Sequence, residues 1–362
     1  MSLSRRGFFQ ALASAEPLPV RLSSNENPLG PGAAALRAIQ RATTYAGRYP
    51  FNAAPSTDDF IAFVAKRNRL NPENVAIGAG SAEILDCAVR AFARGRGLVT
   101  AEPTFERPAT VARLLNMPMT AVPVDTAGRL NLDAMAEAAP KAGLVFVCNP
   151  NNPTGVLHST DVMTSFIRRV ARAAPGTIIL VDEAYHEYVT DRTYATAVPL
   201  IRQHPTLVVS RTLSKAYGMA GMRLGYALGQ KDAIARLSRW MMPFNGNVLV
   251  LAASVAAMQD EEGLARERRR NSEVLQFTNA FFRRAGFEAA DSQANFAWVN
   301  IRRPAVEFAT ACEKRGIIVG RQFPPFEKTH VRISIGTMEE MRRAVEVFAQ
   351  ELGVETGRSL RH

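Results

Sequence analysis

Six short apolar runs recur between residues 74 and 229: NVAIGAG (74–80), GLVTAEP (97–103), GLVFVCNP (143–150), TIILVDEAY (177–185), TLVVSRTLSK (206–215) and MRLGYALG (222–229). Several are apolar at every position rather than every second one. A strand with two apolar faces has to be covered on both, which is the habit of parallel sheets flanked by helices. Amphipathic stretches fill the gaps, among them AEILDCAVRAFAR (82–94) and STDVMTSFIRRVARAA (159–174). Ser159 is placed to cap the second. The expected fold is α/β, built on a large, mainly parallel sheet.

The pattern changes near residue 245. A long helical region gives way to short alternating strands, NFAWVNI (295–301), GIIVG (316–320) and HVRISIG (330–336), and to a last helix in MEEMRRAVEVFAQEL. This reads as a smaller α+β domain. Residues 46–245 are expected to form the large domain and 246–362 the small one. Residues 1–45 are expected to form an arm that packs with the small domain. A chain of 362 residues suits two domains better than one core.

Composition narrows the function. The chain is 47% hydrophobic and 21% charged, which is globular rather than disordered. No apolar run approaches the roughly 20 residues that span a bilayer, so no membrane partner is expected. Cys87, Cys148 and Cys312 lie far apart with no CxxC. Neither a disulfide framework nor a zinc knuckle fits, and a reducing compartment, the cytoplasm, does. Arg5–Arg6 in SRRGFFQALASAE raise the alternative of twin-arginine export, but the apolar stretch after them is short and holds Gln10. The five histidines show no metal spacing. The net charge of +11 is spread along the chain. Its densest run, LARERRRNSEVL, interleaves arginines with Glu267 and Glu273 and holds no aromatic residue. It reads as a solvated helix face, not a nucleic-acid surface. The charge still favours anionic small molecules.

Polar motifs stand where the strands end, the place where open α/β sheets bind ligands. GAGSAE (78–83) follows a strand and opens a helix, whose free N–H groups suit a phosphate, though such a stretch can be a plain tight turn. NPNNPTG (149–155) forms a stiff turn that can hold Asn152 at the sheet's end; an ordinary loop is the alternative. Asp182 ends a fully apolar strand, where a carboxylate is costly without a cationic partner. That partner is either a protonated ring nitrogen or an arginine. In TLSKAYGMAGMR (212–223), the hydroxyls of Thr212 and Ser214 flank Lys215, and Arg223 follows. Hydroxyls with an arginine suit a phosphate. A lysine beside other cations becomes a usable nucleophile.

Taken in order, GAGSAE, Phe105 after Pro103, NPNNPTG, DEAY and SKAYGMAGMRLGY resemble the fold-type-I pyridoxal-phosphate aminotransferases. Within them the chain resembles the histidinol-phosphate aminotransferase group, from about LSSNENPLGP (22–31) to VRISIGT (331–337). PFNGN (243–247) and ANF (294–296) resemble the same group. The resemblance implies that Lys215 forms the Schiff base with pyridoxal phosphate and then shuttles a proton. It implies that Asp182 holds the pyridine nitrogen protonated, that Asn152 and Tyr185 bond the ring oxygen, and that Phe105 stacks on the ring. The phosphate falls to the backbone at Ser81 and Ala82, to Thr212 and Ser214, and to Arg223. Tyr49, in RYP, is implied to reach the phosphate site of a second subunit, which makes a homodimer with shared sites. Arg332 is implied to pair with the substrate carboxylate, with Asn25 beside the substrate. The partners are then an amino donor and a 2-oxo acid.

Two positions depart from that group. Gly320 stands where an arginine commonly follows GIIV, and Arg321 comes one later. A one-residue shift along a strand turns a side chain to the other face, so Arg321 is expected to point away from the substrate. No tyrosine precedes LSSNENP. Histidinol phosphate is therefore expected to be a poor donor, and a sizeable amino-acid side chain is expected near Phe323 and Phe326, with a rigid packed loop at FPPF as the alternative. A related decarboxylase or lyase, of the threonine-phosphate decarboxylase type, is the alternative, because the same scaffold can break a different bond at Cα.

Overall fold

The computed structural model describes residues 19–355. The SRRGFF segment lies outside the described residues. The twelve strands among the described residues are β1 (Val20–Leu22), β2 (Val75–Gly78), β3 (Leu98–Glu102), β4 (Met119–Pro123), β5 (Leu144–Cys148), β6 (Ile178–Asp182), β7 (Leu207–Thr212), β8 (Gly225–Gly229), β9 (Glu288–Ala289), β10 (Phe296–Asn300), β11 (Ile317–Val319) and β12 (His330–Ser334).

Seven of them form one sheet in the order β2-β8-β7-β6-β5-β3-β4. All neighbours from β7 to β4 run parallel, while β8 runs antiparallel to both β7 and β2. Every residue of β5, β6 and β7 is buried, as the continuous apolar runs require. Val145, Val147, Ile179 and Val181 face one helical layer; Leu144, Phe146, Ile178 and Leu180 face the other. The sheet is α/β and mainly parallel, as expected. Strand β4 is absent from the sequence reading because it lies on the sheet's edge. Half-exposed and carrying Pro123, it lacks a continuous apolar run. Ser159 does cap its helix, Thr160–Ala173, by accepting from the Val162 N–H at 3.5 Å.

A second, antiparallel sheet runs β12-β10-β9. Strands β10 and β12 are buried on both faces rather than alternating, while the short edge strand β9 is not. Ala297, Val299, Val331 and Ile333 pack on Phe281, Phe282, Phe308 and Phe348 from the helices behind. The intervening residues, Phe296, Trp298, Arg332 and Ser334, point the other way, since successive side chains alternate. The register pairs Phe296 with Ser334 and Trp298 with Arg332. This second face closes against the large sheet's strand ends. Helix Val248–Gln259 joins the core of the large sheet through Val250, Leu251 and Ala253.

The N-terminal segment divides its packing. Strand β1 lies parallel to β11, while helix Ala33–Ala42 lies on helix Val248–Gln259 through Ala38, Ala42 and Ala252. The arginine-rich run sits in helix Glu261–Arg284 and is not wholly solvated. Glu267 turns inward, accepts from the Tyr188 hydroxyl at 3.0 Å, and pairs with Arg270 at 2.7 Å. No helix among the described residues is long and apolar enough to cross a membrane.

Candidate active site

The site begins with the register of two strands. Asp182 ends β6 and sits opposite Ser210 of β7. Asp182 is 2% exposed, and the Ser210 hydroxyl donates to its Oδ1 at 2.6 Å. Burial pushes its carboxyl up to about 6, against the opposing hydrogen bond. The next residues along each strand face the opposite side. There Arg211 pairs with Glu183 at 2.8 Å, both buried, and Thr196 and the Ala197 N–H complete the carboxylate's shell. Burial pushes Glu183 up, yet Arg211 and its hydrogen bonds hold it below its ordinary value. So the available arginine belongs to Glu183. Asp182 faces the cleft with a single hydroxyl partner.

Lys215 follows β7 through a short turn. Its Nζ donates to the carbonyls of Asn25 at 3.1 Å and Ser24 at 3.3 Å, and stands 5.8 Å from the centre of the Tyr185 ring. Burial brings the amine down to about 8; Arg332 and Arg223 push the same way, and Glu26 and Asp182 oppose.

A cradle of donors lies beside it. Gly80 adopts φ 79 and leads into helix Ser81–Ala88, whose first turn has no side-chain cap. A Cβ at Gly225 would stand 2.5 Å from the Ser81 nitrogen, so only glycine lets β8 approach there. Thr212 donates to the Ser214 hydroxyl at 3.0 Å. Arg223 spans the cradle, donating to Ser214 at 3.4 Å and to the Ala79 carbonyl at 3.2 Å. Glu83 accepts from the Ala79 and Met242 N–H groups and from Asn245, which ties PFNGN to the same helix start.

The NPNNPTG loop is held by Asn151, which accepts from Thr104 at 2.6 Å and donates to the Pro103 carbonyl at 3.2 Å. These bonds also position Phe105, half-buried against the core on the second face of the large sheet. Asn152, beside Asn151, accepts from Arg332 Nη1 at 2.8 Å.

Arg332 is buried between the rings of Phe323 and Phe296, at 4.7 and 5.6 Å. Its Nη2 donates to the Ser23 carbonyl at 2.6 Å, while its buried Nε–H has no partner. Burial lowers it to about 10, so it stays charged at neutral pH.

Asn25 connects all three parts of the site. It takes a left-handed φ of 53. Its side chain donates to the Tyr185 hydroxyl at 3.0 Å and accepts from Ser334 at 2.7 Å. Its carbonyl receives Lys215 and, at 3.0 Å, Asn295. Tyr185 is buried, which raises its hydroxyl well above the ordinary range. Tyr49 stands apart, exposed and packed on Phe51 and Phe244.

Two expectations are corrected. Arg321 does not point away from the cleft: its guanidinium lies 4.3 Å from the Phe323 ring, which Arg332 also touches. β11 ends at Val319, so pleat alternation does not extend to residue 321. Gly320 is required there, because a Cβ would stand 2.4 Å from the Arg332 carbonyl oxygen. Phe326 does not line the cleft with Phe323; it packs on Trp298 and His330, which agrees with the packed-loop alternative for this residue. Sequence reasoning missed Ser210, Asn151, Ser334, Asn295 and Glu83. Of these, Ser210 was findable: it ends a strand as Asp182 does.

The donor set fits pyridoxal phosphate. An amine suits the aldehyde, and a buried carboxylate lacking a cation suits the ring nitrogen. An uncapped helix start with two hydroxyls and a guanidinium suits the phosphate. Among the described residues no group of side chains could hold a metal ion. The family model for aminotransferase class I and II matches residues 19–348, and the chain belongs to that family. It is a pyridoxal-phosphate-dependent aminotransferase. It is similar to histidinol-phosphate aminotransferases: 36% identical to that of Symbiobacterium thermophilum, over 92% of this chain and 91% of that one. It is 33% identical to that of Bacillus subtilis strain 168, with the same coverage of each. The crystal structure of histidinol-phosphate aminotransferase from Sinorhizobium meliloti in complex with pyridoxal-5'-phosphate superposes with a TM-score of 0.83. It is 24% identical, over 98% of this chain and 95% of that one, and shares the fold.

Proposed function

We propose that the chain moves an amino group from an α-amino acid to a 2-oxo acid, with Lys215, Asp182 and Arg332 at the reacting end. The observation that carries this reading is the convergence of a depressed lysine amine, a carboxylate without a cation and a guanidinium with an unpaired Nε–H. When bound, pyridoxal phosphate supplies an electron sink next to the donor's α carbon. The protein's residues do the rest. Asp182 would keep a proton on the ring nitrogen. Asn152 and Tyr185 would bond the ring oxygen, and Phe105 would pack on the ring. The Ser81 and Ala82 N–H groups, Thr212, Ser214 and Arg223 would hold the phosphate. Lys215 Nζ would hold the cofactor and, once the donor's amine has displaced it, would take the proton from the donor's α carbon. Asn25 positions Tyr185 and Lys215 by its two faces. Arg332 takes the donor carboxylate in a two-bond fork.

An α-amino acid is favoured over histidinol phosphate, the substrate named for the relatives, because the second cation of the cleft is already paired: Arg321 Nη2 meets Glu106 Oε2 at 2.5 Å. A panel of amino donors with pyruvate, a 2-oxo acid without a distal carboxylate, tests this. Amino acids are expected to give the higher kcat/KM, and Arg332→Lys to lower it about 10- to 100-fold, since lysine keeps the charge but loses the fork. A clear preference for histidinol phosphate would reject the assignment.

Uptake of pyridoxal phosphate by the apoprotein should accelerate with pH through about 8 and level off above it. The neutral amine is the reactive form, and burial favours it. Arg332→Met should move the midpoint upward, because Arg332 is the strongest charge holding the amine down. Stopped-flow uptake against pH checks this; a midpoint near 10.5 would mean that Lys215 is an ordinary solvated lysine.

The homodimer rests on an apolar cluster. Tyr49, Phe51 and Phe244 stack on one another yet are 63%, 51% and 59% exposed. Exposed aromatic clusters mark interfaces. A second copy that covers this one would bring Tyr49 towards its phosphate cradle. Tyr49→Phe is expected to weaken cofactor retention. Mixed with Lys215→Ala subunits, it should recover one intact site per heterodimer, visible as retained cofactor. An active monomer in sedimentation would defeat the proposal. The compartment is read as cytoplasmic, since all three cysteines are free and buried; fractionation against a periplasmic marker tests that.

A further inference from the structure

The Arg321–Glu106 pair joins the two halves of the cleft at its outer end. Glu106 follows Phe105 and precedes helix Arg107–Leu114; Arg321 follows Gly320 beyond β11. The Arg321 side chain is 51% exposed and that of Glu106 46%, so both are open to a ligand entering the cleft. Arg321 and Arg332 flank the same Phe323 ring, at 4.3 and 4.7 Å, with Arg332 buried and Arg321 outside it. Both members of the pair act electrostatically on Arg332, in opposite directions. A donor whose carboxylate sits on Arg332 would therefore extend any second anionic group towards Arg321, and would meet Glu106 there.

Resting on the reading that Arg332 takes the donor carboxylate, we propose that Glu106 is a specificity-determining residue. It neutralises Arg321 from within the chain and sets the site against ligands with a distal carboxylate or phosphate. A distal anion has to break the ion pair to reach the guanidinium. It then lies beside the displaced carboxylate, a like charge. A neutral side chain pays neither cost. Discrimination by a placed repulsive group is a common route to selectivity. The pair is solvent-accessible, so its own strength is small and the repulsion carries the effect.

Glutarate and pentanoate separate the terms, because both have five carbons, neither can react, and only glutarate has a second anionic group. Their dissociation constants are measured by calorimetry on the holoenzyme, for the wild type, Glu106→Gln and the double variant Glu106→Gln/Arg321→Gln. The preference for glutarate over pentanoate is expected to rise at least fivefold in Glu106→Gln and to return to the wild-type ratio in the double variant. A smaller rise overturns the proposal. So does a rise that survives the loss of Arg321, which would be a general effect of charge. Arg332→Lys is the separate control. If pentanoate binds it as tightly as it binds the wild type, Arg332 does not hold the carboxylate, and Glu106 has no oriented ligand to select.

Discussion

Lys215→Ala is expected to lose turnover by a factor of about 10⁴ or more, since it removes both the covalent anchor and the proton carrier. Two measurements accompany the loss. Borohydride treatment of the wild-type holoenzyme should fix the cofactor's mass on the peptide that holds Lys215, and the variant should show none. A small primary amine in solution should restore a fraction of the activity, because it can enter the space left by the side chain and carry the proton. The fold should survive. Lys215 contributes two hydrogen bonds to backbone carbonyls, and the Asn25 carbonyl keeps Asn295 at 3.0 Å. A variant that turns over at the wild-type rate would remove Lys215 from the reaction.

Asp182→Asn should keep the cofactor and slow the reaction by about 10²- to 10³-fold, the usual scale for one preorganised electrostatic contact. An amide cannot hold a proton on the ring nitrogen as a carboxylate does. A second readout needs no cofactor. The folded carboxyl titrates at about 6 instead of its ordinary 3.8, so the folded apoprotein binds the proton more tightly than the unfolded chain. Its contribution is then unfavourable at neutral pH, by up to about 3 kcal/mol. The penalty grows as pH rises from 3.8 to 6 and is absent below that window. Asp182→Asn keeps an acceptor for Ser210 and carries no charge. Apo Asp182→Asn is therefore expected to be more stable than the apo wild type at pH 7, and the two should converge near pH 4. Melting curves across that range check it. Equal stability at pH 7 would mean that another group already compensates the carboxylate.

The two variants differ in what the amino-acid order could foretell. Lys215 and Asp182 follow or end strands that carry apolar runs, so the strand ends, and with them the places of these two residues, were legible from local pattern; the roles expected of them came from the family resemblance. The same holds for the helix start at Ser81 and the cap at Ser159. These features depend on neighbours within a few positions, where hydrophobic period and turn chemistry act directly. The partner of Asp182 was a different matter. An arginine remained an alternative to a ring nitrogen until the register placed Ser210 beside Asp182 and sent Arg211 to Glu183 on the other face.

Composition and order by themselves determined the α/β class, the mainly parallel sheet and the set of residues at its strand ends. Tertiary structure alone decided what those residues meet. Asn25 bonds Ser334 across 309 positions and Tyr185 across 160. Arg321 reaches the cleft because β11 stops at Val319 and the chain, no longer pleated, passes the Arg332 carbonyl at a glycine. Glu106 finds Arg321 only because the segment after β3 packs against the segment after β11. The division is physical. Periodicity reports which face of an element is buried, because burial repeats with the element's own geometry. It carries no information on which distant element lies against that face, since that depends on packing and register summed over the whole chain.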